Sequence, residues 1–318
     1  MQRLPKISSL AVEDSGWGFF LCTYKELRAG RSGSEFLFLS LQDSTGQVVA
    51  KVMADVDRYK DEFDAGEFVR IEGRGSLYNG AVQLVLSTIR RVNREQDRRE
   101  GFNESDAILS APRPIDEMWA ELLEHVRGVN NDHIRVLLNR IVADHQEPLR
   151  AWPAAQVIHH AYRGGLLEHI TKMAEVGRLV SHAYGADWDL VLAGIILHDI
   201  GKLQELAYEG GSGNYTRDGN LVGHIALGIV MVREASNAIS GFPDDLRAHI
   251  EHLVASHHGA RERGSPVEPR TVEAFILAAI DELDAKLNQV RRAIAEDSSE
   301  DEFTSWNKRL GRVLYKPR

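Results

Sequence analysis

The sequence predicts a two-part fold, an N-terminal five-stranded β-barrel followed by an all-α helical bundle. Three observations support this prediction. Residues 17–92 alternate apolar and polar positions between turn signals, a pattern typical of short strands. Residues 94–114 are charged, poor in apolar side chains and closed by two prolines, which is typical of a linker. From Ile115 onward, apolar residues recur with the spacing of helices.

The first part contains enough strand signals for a small closed barrel. A first strand is expected from residue 17, a turn at residues 43–46 and a short helix at residues 56–63. The further strand candidates are residues 36–41, 47–53, 68–73 and the arms of a hairpin at Asn79-Gly80. Five strands and one helix in about 80 residues suit the Greek-key barrel of the OB type.

The second part is dominated by amphipathic helices, with apolar stripes on residues 118–126 and 134–141. Apolar faces on residues 115–145 fit either a homo-oligomer contact or packing within one chain. The expected domains are the OB barrel (1–95), a linker with connecting helices (96–150), a helical domain with the candidate site (151–300) and a C-terminal tail (301–318).

Composition and charge narrow the class of protein. The chain has 43% hydrophobic and 27% charged residues, as ordinary globular proteins do, and its one cysteine, Cys22, fits a reducing compartment. The N-terminus lacks the apolar core of a signal peptide, and no apolar run approaches the roughly 20 residues that span a bilayer. We therefore expect a cytoplasmic protein without a membrane partner.

The net charge of −9 argues against a broadly basic nucleic-acid coat, but the charge is uneven. Residues 1–99 carry 15 Lys and Arg against 14 Asp and Glu, a balance of +1; the remainder carries 23 against 33, a balance of −10. An acidic second half is expected if its carboxylates bind cations. Arginines in the first half suit either local phosphate contacts or solvated faces.

Histidines and aspartates in the second part form the pattern of a metal site. His198-Asp199 follows the apolar run 190–197, where an imidazole and a carboxylate at the polar end of a helix can both bind an ion. The set is completed, at other expected helix ends, by His169, His224, His257, His258 and Asp281. A lone helical histidine is more often structural; the ordered set favours ligands. Nitrogen and oxygen donors without cysteine suit Mn, Fe, Co or Zn, with Mg less favoured.

A ligand set of this size predicts two ions, and two-ion sites most often hydrolyse phosphoesters. Asp199 can bridge them, because each carboxylate oxygen can take one ion. Gly201 is expected to cap the helix that precedes it. Lys202 is positioned for a phosphate oxygen, with charge compensation at a helix C-terminus as the alternative. His159-His160 either line the cleft or have no part in it.

These residues carry a family resemblance. The order His169, His198-Asp199 and Asp281 resembles the HD superfamily of metal-dependent phosphohydrolases. Longer segments resemble the YhaM-type 3′-to-5′ exoribonucleases, in which an OB-fold precedes the HD domain. These segments are residues 20–21, 25–26, 39–46, 160–169, 215–224, 256–259, 264–267 and 284–286. The likeness extends over most of the chain, from about residue 15 to residue 290.

The resemblance implies a metal-dependent 3′-to-5′ exonuclease that releases nucleoside 5′-monophosphates from single-stranded RNA, with DNA as a second substrate. Asp199 and Lys202 are the expected catalytic residues, and manganese is the preferred ion, with iron, cobalt or magnesium as alternatives. The resemblance assigns one ion to His169, His198, Asp199 and Asp281, and the second to Asp199, His224, His257 and His258. Gly165 occupies the position at which some HD proteins carry a glutamate for a third ion, which favours two.

Some residues depart from the pattern of related proteins. Residues 280–286 lack the histidine and asparagine common in the family but keep Asp281 and Asp284. Met53 stands where an aromatic residue is common. Gly264-Ser265-Pro266 differs from the Gly-Tyr-Pro of cyclic-dinucleotide hydrolases and disfavours that activity.

Candidate nucleic-acid contacts fall in both parts. They are Lys25, Arg28 and Arg31 in the expected loop after the first strand, Phe36 and Phe38 on the second strand, and Arg261 and Ser265 near the metal set. The two phenylalanines alternate with leucines, so they either stack on bases or pack in the barrel core. The arginines between residues 90 and 99 suit a solvated edge of the linker.

Two other functions remain as alternatives. An HD-type nucleotidase acting on free nucleotides would need no barrel, so the barrel is the feature that separates it from a nuclease. A non-catalytic nucleic-acid-binding factor would keep the barrel but not the ligands, and the intact ligand set argues against it.

Overall fold

The computed structural model describes residues 2–30, 33–78, 80–154, 162–209, 212–297, 299 and 301–317. The chain divides into two compact units, residues 1–110 with 209–212 and residues 111–208 with 213–318. The predictions for Arg31, for Asn79 and for His159-His160 lie outside the described residues. The predicted domain boundaries stay a prediction.

The first unit contains a closed five-stranded barrel with strand order β1-β2-β3-β5-β4. Its elements are β1 (Ser15–Ala29), β2 (Glu35–Asp43), β3 (Gly46–Val52), α1 (Val56–Tyr59), β4 (Phe68–Tyr78) and β5 (Ala81–Arg91). Neighbouring strands pair antiparallel except β3 and β5, whose parallel pairing closes the barrel. The predicted five-stranded OB-type barrel is therefore confirmed.

Strand β2 shows how the sequence pattern fills the barrel. Its three leucines are fully buried in the core, while Phe36 and Phe38 alternate with them on the other face and are only half-buried. Because successive side chains of a strand point to opposite faces, the phenylalanines belong to the outside of the barrel. Core packing, one of the two alternatives for these residues, is excluded.

The segment after β5 folds against the barrel. It forms α2 (Arg94–Asp97) and two short 3₁₀ turns, Arg98–Glu100 and Glu104–Asp106. Phe102 is buried and packs edge-on against Phe19 and Phe68 of the barrel strands. The residues that suggest a linker by composition thus contribute to the first compact unit.

Beyond the barrel the chain is mainly helical, with one two-stranded sheet. The helices are α3 (Ile115–Arg127), α4 (Asp132–Asp144), α5 (Gln146–Ala151), α6 (Gly165–Tyr184), α7 (Trp188–Leu197), α8 (Lys202–Glu205), α9 (Arg217–Leu221), α10 (His224–Asn237), α11 (Asp244–Ser256) and α12 (Val272–Glu296). The sheet pairs β6 (Leu206–Glu209) with β7 (Ser212–Tyr215). Together with the barrel, these helices confirm the predicted fold class.

The core of the helical unit surrounds α7. Every residue from Asp189 to Leu197 is buried, as expected for a helix that is apolar on all sides. Helices α4, α6, α11 and α12 pack against it. The apolar stripes of α3 and α4 are buried in the same core, so these faces pack within the chain. In the ranges that the structure describes, we find no helix suited in length and hydropathy to crossing a bilayer.

Candidate metal centre and nucleic-acid surface

Five helices bring the predicted ligands together. His169 lies near the start of α6, and His224 is the first residue of α10. His198-Asp199 directly follows α7, and His257-His258 directly follows α11. Asp281, expected at a helix end, lies instead within α12, because that helix continues to Glu296.

The predicted ligands form two groups, each with donor atoms within 4.8 Å of one another. One group contains His169, His198 and Asp281, and the other contains His224, His257 and His258. In the first group, His169 Nε2 lies 3.3 Å from His198 Nε2 and 3.2 Å from Asp281 Oδ1. Each group can hold a metal ion.

Asp199 lies between the two groups. Its Oδ2 is 3.3 Å from His198 Nε2, whereas its Oδ1 is 3.7 Å from His224 Nε2 and 3.8 Å from His257 Nε2. One oxygen therefore faces each group, which is the arrangement of a carboxylate that can bridge two ions.

The Nδ1 atom of every histidine in the two groups is hydrogen-bonded to an oxygen. The Nδ1 atoms of three histidines donate to backbone carbonyls, those of Ile195, Val254 and Arg263. The other two pair with carboxylates, His169 with Asp284 at 2.7 Å and His224 with Glu205 at 3.1 Å. An imidazole that donates from Nδ1 carries its lone pair on Nε2, so the outer contacts set the tautomer that binds metal.

Several buried polar atoms at the centre support a cation site. Among the described residues, Asp199 Oδ1, His224 Nε2 and His257 Nε2 have no hydrogen-bond partner. Buried polar atoms without partners are rare in folded proteins and call for an explanation. A divalent ion would satisfy all three acceptors at once, so the donor set fits a metal.

The carboxylates of Asp199, Asp281 and Asp284 give the first group a negative field. Burial lowers the pKa of His169, but its hydrogen bonds to Asp281 and Asp284 outweigh burial and raise that pKa to about 9. Burial would raise the pKa of Asp199, yet the charges of Lys202 and His198 hold it well below its usual range. Burial lowers the pKa of His257 well below its usual range. Lowered pKa values thus keep Asp199 and Asp281 ionised and His257 and His258 neutral. His169 would lose its second proton when a metal binds at Nε2.

The Lys202 ammonium forms hydrogen bonds within the protein. Its Nζ donates to Asp199 Oδ2 at 2.6 Å and to the Ala154 carbonyl at 2.5 Å, and the residue is buried. It also lines the cleft that opens beside the metal groups. Lys202 therefore fixes and neutralises one oxygen of Asp199, a role that the sequence alone did not predict.

Gly201 does not act as the expected helix cap. Its backbone is right-handed (φ −64°), and it precedes α8 rather than ending α7 in the left-handed conformation. A Cβ at this position would lie 1.9 Å from the His224 carbonyl oxygen. Glycine is needed because the His198-Asp199 turn and the start of α10 approach one another at their backbones.

A cleft of about 530 Å³ opens beside the metal groups. Asp199, His257, His258 and Asp281 line it. The cations that line it are Lys202, Arg263 and Lys286. Arg261, the predicted contact, is exposed and does not line the cleft, whereas Ser265 is buried and its Oγ has no partner in the described part of the chain.

The sequence analysis gave no role to four residues around the site, although the resemblance includes Asp284 and Lys286. Asp284 and Glu205 support metal ligands from behind, and Arg263 and Lys286 line the cleft. Asp284 lies one helical turn after Asp281, a spacing that could have signalled a second carboxylate on the same face. The other three have surroundings that only the tertiary fold creates.

The outside of the barrel carries paired aromatic and cationic side chains. The Arg28 guanidinium lies 3.8 Å from the ring centre of Phe38, and Lys51 Nζ lies 3.9 Å from that of Tyr78. Phe38 and Lys51 are register partners on β2 and β3, and Tyr24 meets Phe38 edge-on. We call these five residues the barrel face; strands two and three are where OB-folds bind oligonucleotides.

The predicted loop positions of Lys25 and Arg28 are wrong, because both residues belong to β1. The Lys25 ammonium donates to the carbonyls of Lys60 and Phe63 and lies 4.6 Å from the Phe63 ring centre. The Lys25 ammonium is therefore hydrogen-bonded within the first unit. Arg28 remains on the outer surface beside Phe38.

With this geometry, the two units define a class of protein that joins an OB-fold to an HD domain. The sequence matches the HD domain family over residues 166–286 and an OB-fold nucleic acid binding domain over residues 23–92. Both matches lie in the units in which the structure has the corresponding fold.

The chain belongs to the YhaM family of 3′-5′ exoribonucleases. It is 35% identical to 3′-5′ exoribonuclease YhaM of Bacillus subtilis over 290 residues, which covers 90% of each chain. It is 33% identical to the protein of the same name from Halalkalibacterium halodurans over 301 residues, or 94% of this chain and 92% of the relative. These relatives confirm the family resemblance and the prediction of an exoribonuclease-class enzyme.

One solved structure matches part of the chain with a low score. The second OB-fold domain of replication protein A from Methanococcus maripaludis is 20% identical and covers 28% of this chain and 94% of its own, with a TM-score of 0.23. That score is too low to add to the assignment.

Proposed function

We propose that the protein is a metal-dependent 3′-to-5′ exonuclease that releases nucleoside 5′-monophosphates from single-stranded RNA and, as a second substrate, DNA. The observation that carries the proposal is the convergence of five histidines and two aspartates whose Nδ1 anchors leave Nε2 as the metal-binding atom. The names of the curated relatives support the same activity.

The residues present suit two divalent ions. One ion would be held by His169, His198, Asp199 and Asp281, and the other by Asp199, His224, His257 and His258. Mixed nitrogen and oxygen donors make manganese the preferred ion, ahead of iron, cobalt or magnesium. Bound ions of this kind activate water and stabilise negative charge on a phosphoryl group.

The chain's own residues prepare the site for this chemistry. Lys202 holds Asp199 ionised and oriented from one side, leaving Oδ1 directed at the second histidine group. Lys202 also lines the cleft, where its charge stabilises a phosphate that enters.

The barrel face would bind the strand upstream of the cleavage site. The match of residues 23–92 to an OB-fold nucleic acid binding domain supports this role. Exposed aromatic rings stack on bases of any sequence, and neighbouring cations bind the backbone. The cytoplasm is the expected location, and self-assembly stays a prediction.

The alternatives gain no support from these features. A nucleotidase for free nucleotides has no use for the barrel face. A non-catalytic binding factor has no use for histidine anchors that select one tautomer at every ligand.

A degradation assay tests the proposal. RNA labelled at its 5′ end is incubated with protein and Mn²⁺, and the products are separated by length. We expect a ladder that shortens from the 3′ end, with 5′-monophosphates released, and no products with EDTA or with Asp199→Ala. Intact RNA alongside rapid hydrolysis of free mononucleotides would refute the exonuclease and support the nucleotidase.

A further inference from the structure

One face of α12 extends the cleft beyond the metal ligands. This face contributes Ala278, Asp281, Glu282, Ala285, Lys286 and Gln289, which recur every three or four residues. Asp281 belongs to a metal group, and Lys286 lies five residues later, about 7.5 Å further along the helix axis. The cleft therefore leads from the metal groups toward a cation on the same helix.

Two cations that line this cleft meet at Glu282. Arg263 Nη1 lies 2.6 Å from Glu282 Oε2, and Lys286 Nζ lies 2.5 Å from Glu282 Oε1. One carboxylate thus balances two cations, which leaves one positive charge in a part of the chain whose sequence is acidic overall. The metal groups do not account for this arrangement, and the resemblance includes Lys286 without giving it a role.

The ion pairs at Glu282 are open to competition. The side chains of Arg263, Lys286 and Glu282 are 54%, 61% and 35% exposed. Exposed ion pairs contribute little to stability, so a phosphate can displace Glu282 at low cost. The guanidinium of Arg263 also matches phosphate oxygens with two parallel donors.

The chemistry of the substrate indicates which phosphate would bind there. In a strand cut from its 3′ end, the terminal nucleotide carries hydroxyl groups at its 3′ side and no further phosphate. The phosphate nearest to the scissile one is therefore the next one upstream. Cations that lie about 7.5 Å beyond a metal ligand can therefore bind only that phosphate or the scissile phosphate itself.

We propose that Arg263 and Lys286 bind the backbone phosphate immediately upstream of the scissile bond, and that Glu282 holds the two cations when no strand is bound. This inference rests on the proposed exonuclease function and assigns a specific subsite to it. Arg263 and Lys286 are binding residues here, and Glu282 is a positioning residue.

Two dinucleotides test the subsite. The 5′-phosphorylated dinucleotide pApA carries the upstream phosphate, whereas ApA has only the scissile one. In Arg263→Ala combined with Lys286→Ala, we expect kcat/KM for pApA to fall by about 10- to 100-fold, because charge-assisted hydrogen bonds are lost. The value for ApA should stay within about twofold of wild type, since that substrate never reaches the subsite.

The variants leave the surrounding structure in place. Substitution at Arg263 keeps its backbone carbonyl, which accepts the hydrogen bond from His258 Nδ1. Arg178→Ala, an exposed arginine on α6 outside the cleft, is the matched control and should not change either rate. Glu282→Gln should raise kcat/KM for pApA, because it frees both cations.

The outcomes separate the subsite from the function it depends on. Equal losses on pApA and ApA, or no loss on either, with an active wild type would overturn the subsite and leave the exonuclease intact. A wild type that releases no monophosphate from RNA or from either dinucleotide with Mn²⁺ would overturn both. Compared with alanine at position 263, Arg263→Lys should recover part of kcat/KM for pApA, because lysine restores a cation without the two parallel donors of the guanidinium.

Discussion

The oxygen acceptors behind the five histidines decide which ring nitrogen faces the centre. The sequence predicts the histidines because they occur as an ordered set, with His198-Asp199 among them, at expected helix ends. It cannot predict the acceptors, since three of them are backbone carbonyls that any residue type supplies. The sequence also cannot predict that Arg263 and Lys286 line the cleft, because an exposed cation gives the same sequence signal on any surface.

Asp284 provides a test of these outer contacts. Asp284→Ala removes the acceptor that orients His169, and we expect a 10- to 100-fold loss in metal affinity, on the order typical for such partners. Calorimetric titration with Mn²⁺ measures the loss. Asp284→Asn keeps an oxygen acceptor and should recover most of the affinity. If both variants bind Mn²⁺ like wild type, the contact does not position the ligand.

Gly201 is a second position where a single atom matters. In Gly201→Ala the new Cβ would meet the His224 carbonyl at 1.9 Å, so α10 must move. We expect a loss of about 3 kcal/mol in the free energy of unfolding, together with weaker metal binding. Gly128→Ala is the control, because its backbone is also right-handed and its Cβ would meet nothing closer than 3.5 Å. Equal effects of the two substitutions in urea unfolding would contradict this explanation.

At the scale of elements, long apolar helices and alternating strands are the features that the sequence predicts well. Strand β1 continues through Lys25 and Arg28 because β2 pairs with it as far as Ala29, a tertiary cause that overrides the polar composition. Between residues 94 and 106, after β5, two residues are buried in an otherwise polar stretch, Asp97 and Phe102. A pair of isolated contacts leaves no periodic signal in the sequence.

The contact that fastens α2 to β5 predicts a pH dependence. Arg90 donates two hydrogen bonds to buried Asp97, at 2.6 and 2.8 Å, and the Asn93 N–H donates a third. The Arg90 hydrogen bonds hold the pKa of Asp97 below its usual value of 3.8. The folded protein therefore binds this proton less readily than the unfolded chain, and the stability gained is present above about pH 4 and lost as pH falls further.

The variant Asp97→Asn tests the direction of this pH dependence of stability. At about pH 7 we expect the variant to unfold at lower urea concentration, with a loss of about 1.5–3 kcal/mol from the charged hydrogen bonds. The difference in the free energy of unfolding between wild type and variant should narrow as the pH falls below about 4, because protonation of Asp97 then removes the charge in the wild type. A difference that stays constant from neutral to acid pH would show that the charge of Asp97 is not responsible.

At the scale of the whole molecule, the charge division of the sequence corresponds to a division of chemistry. The acidic part carries the metal groups, where aspartates are needed to hold cations. The nearly neutral part carries the barrel face, where cations lie over aromatic rings. The sequence predicts the order of the two folds and the pattern of ligands, but the barrel face joins residues from four strands and becomes visible only after folding.

The barrel face should matter for long strands and not for short ones. Removal of a ring that stacks on a base costs about 1–3 kcal/mol, so Phe38→Ala or Tyr78→Ala should raise KM for a long single-stranded RNA by about 5- to 150-fold. The rate on ApA should not change, because a dinucleotide occupies only the metal groups and their cleft. Tyr184→Ala, which removes an exposed ring from α6, is the matched control. Steady-state kinetics on both substrates at several salt concentrations measures the effect, and equal losses on RNA and ApA would show that the barrel does not guide the strand.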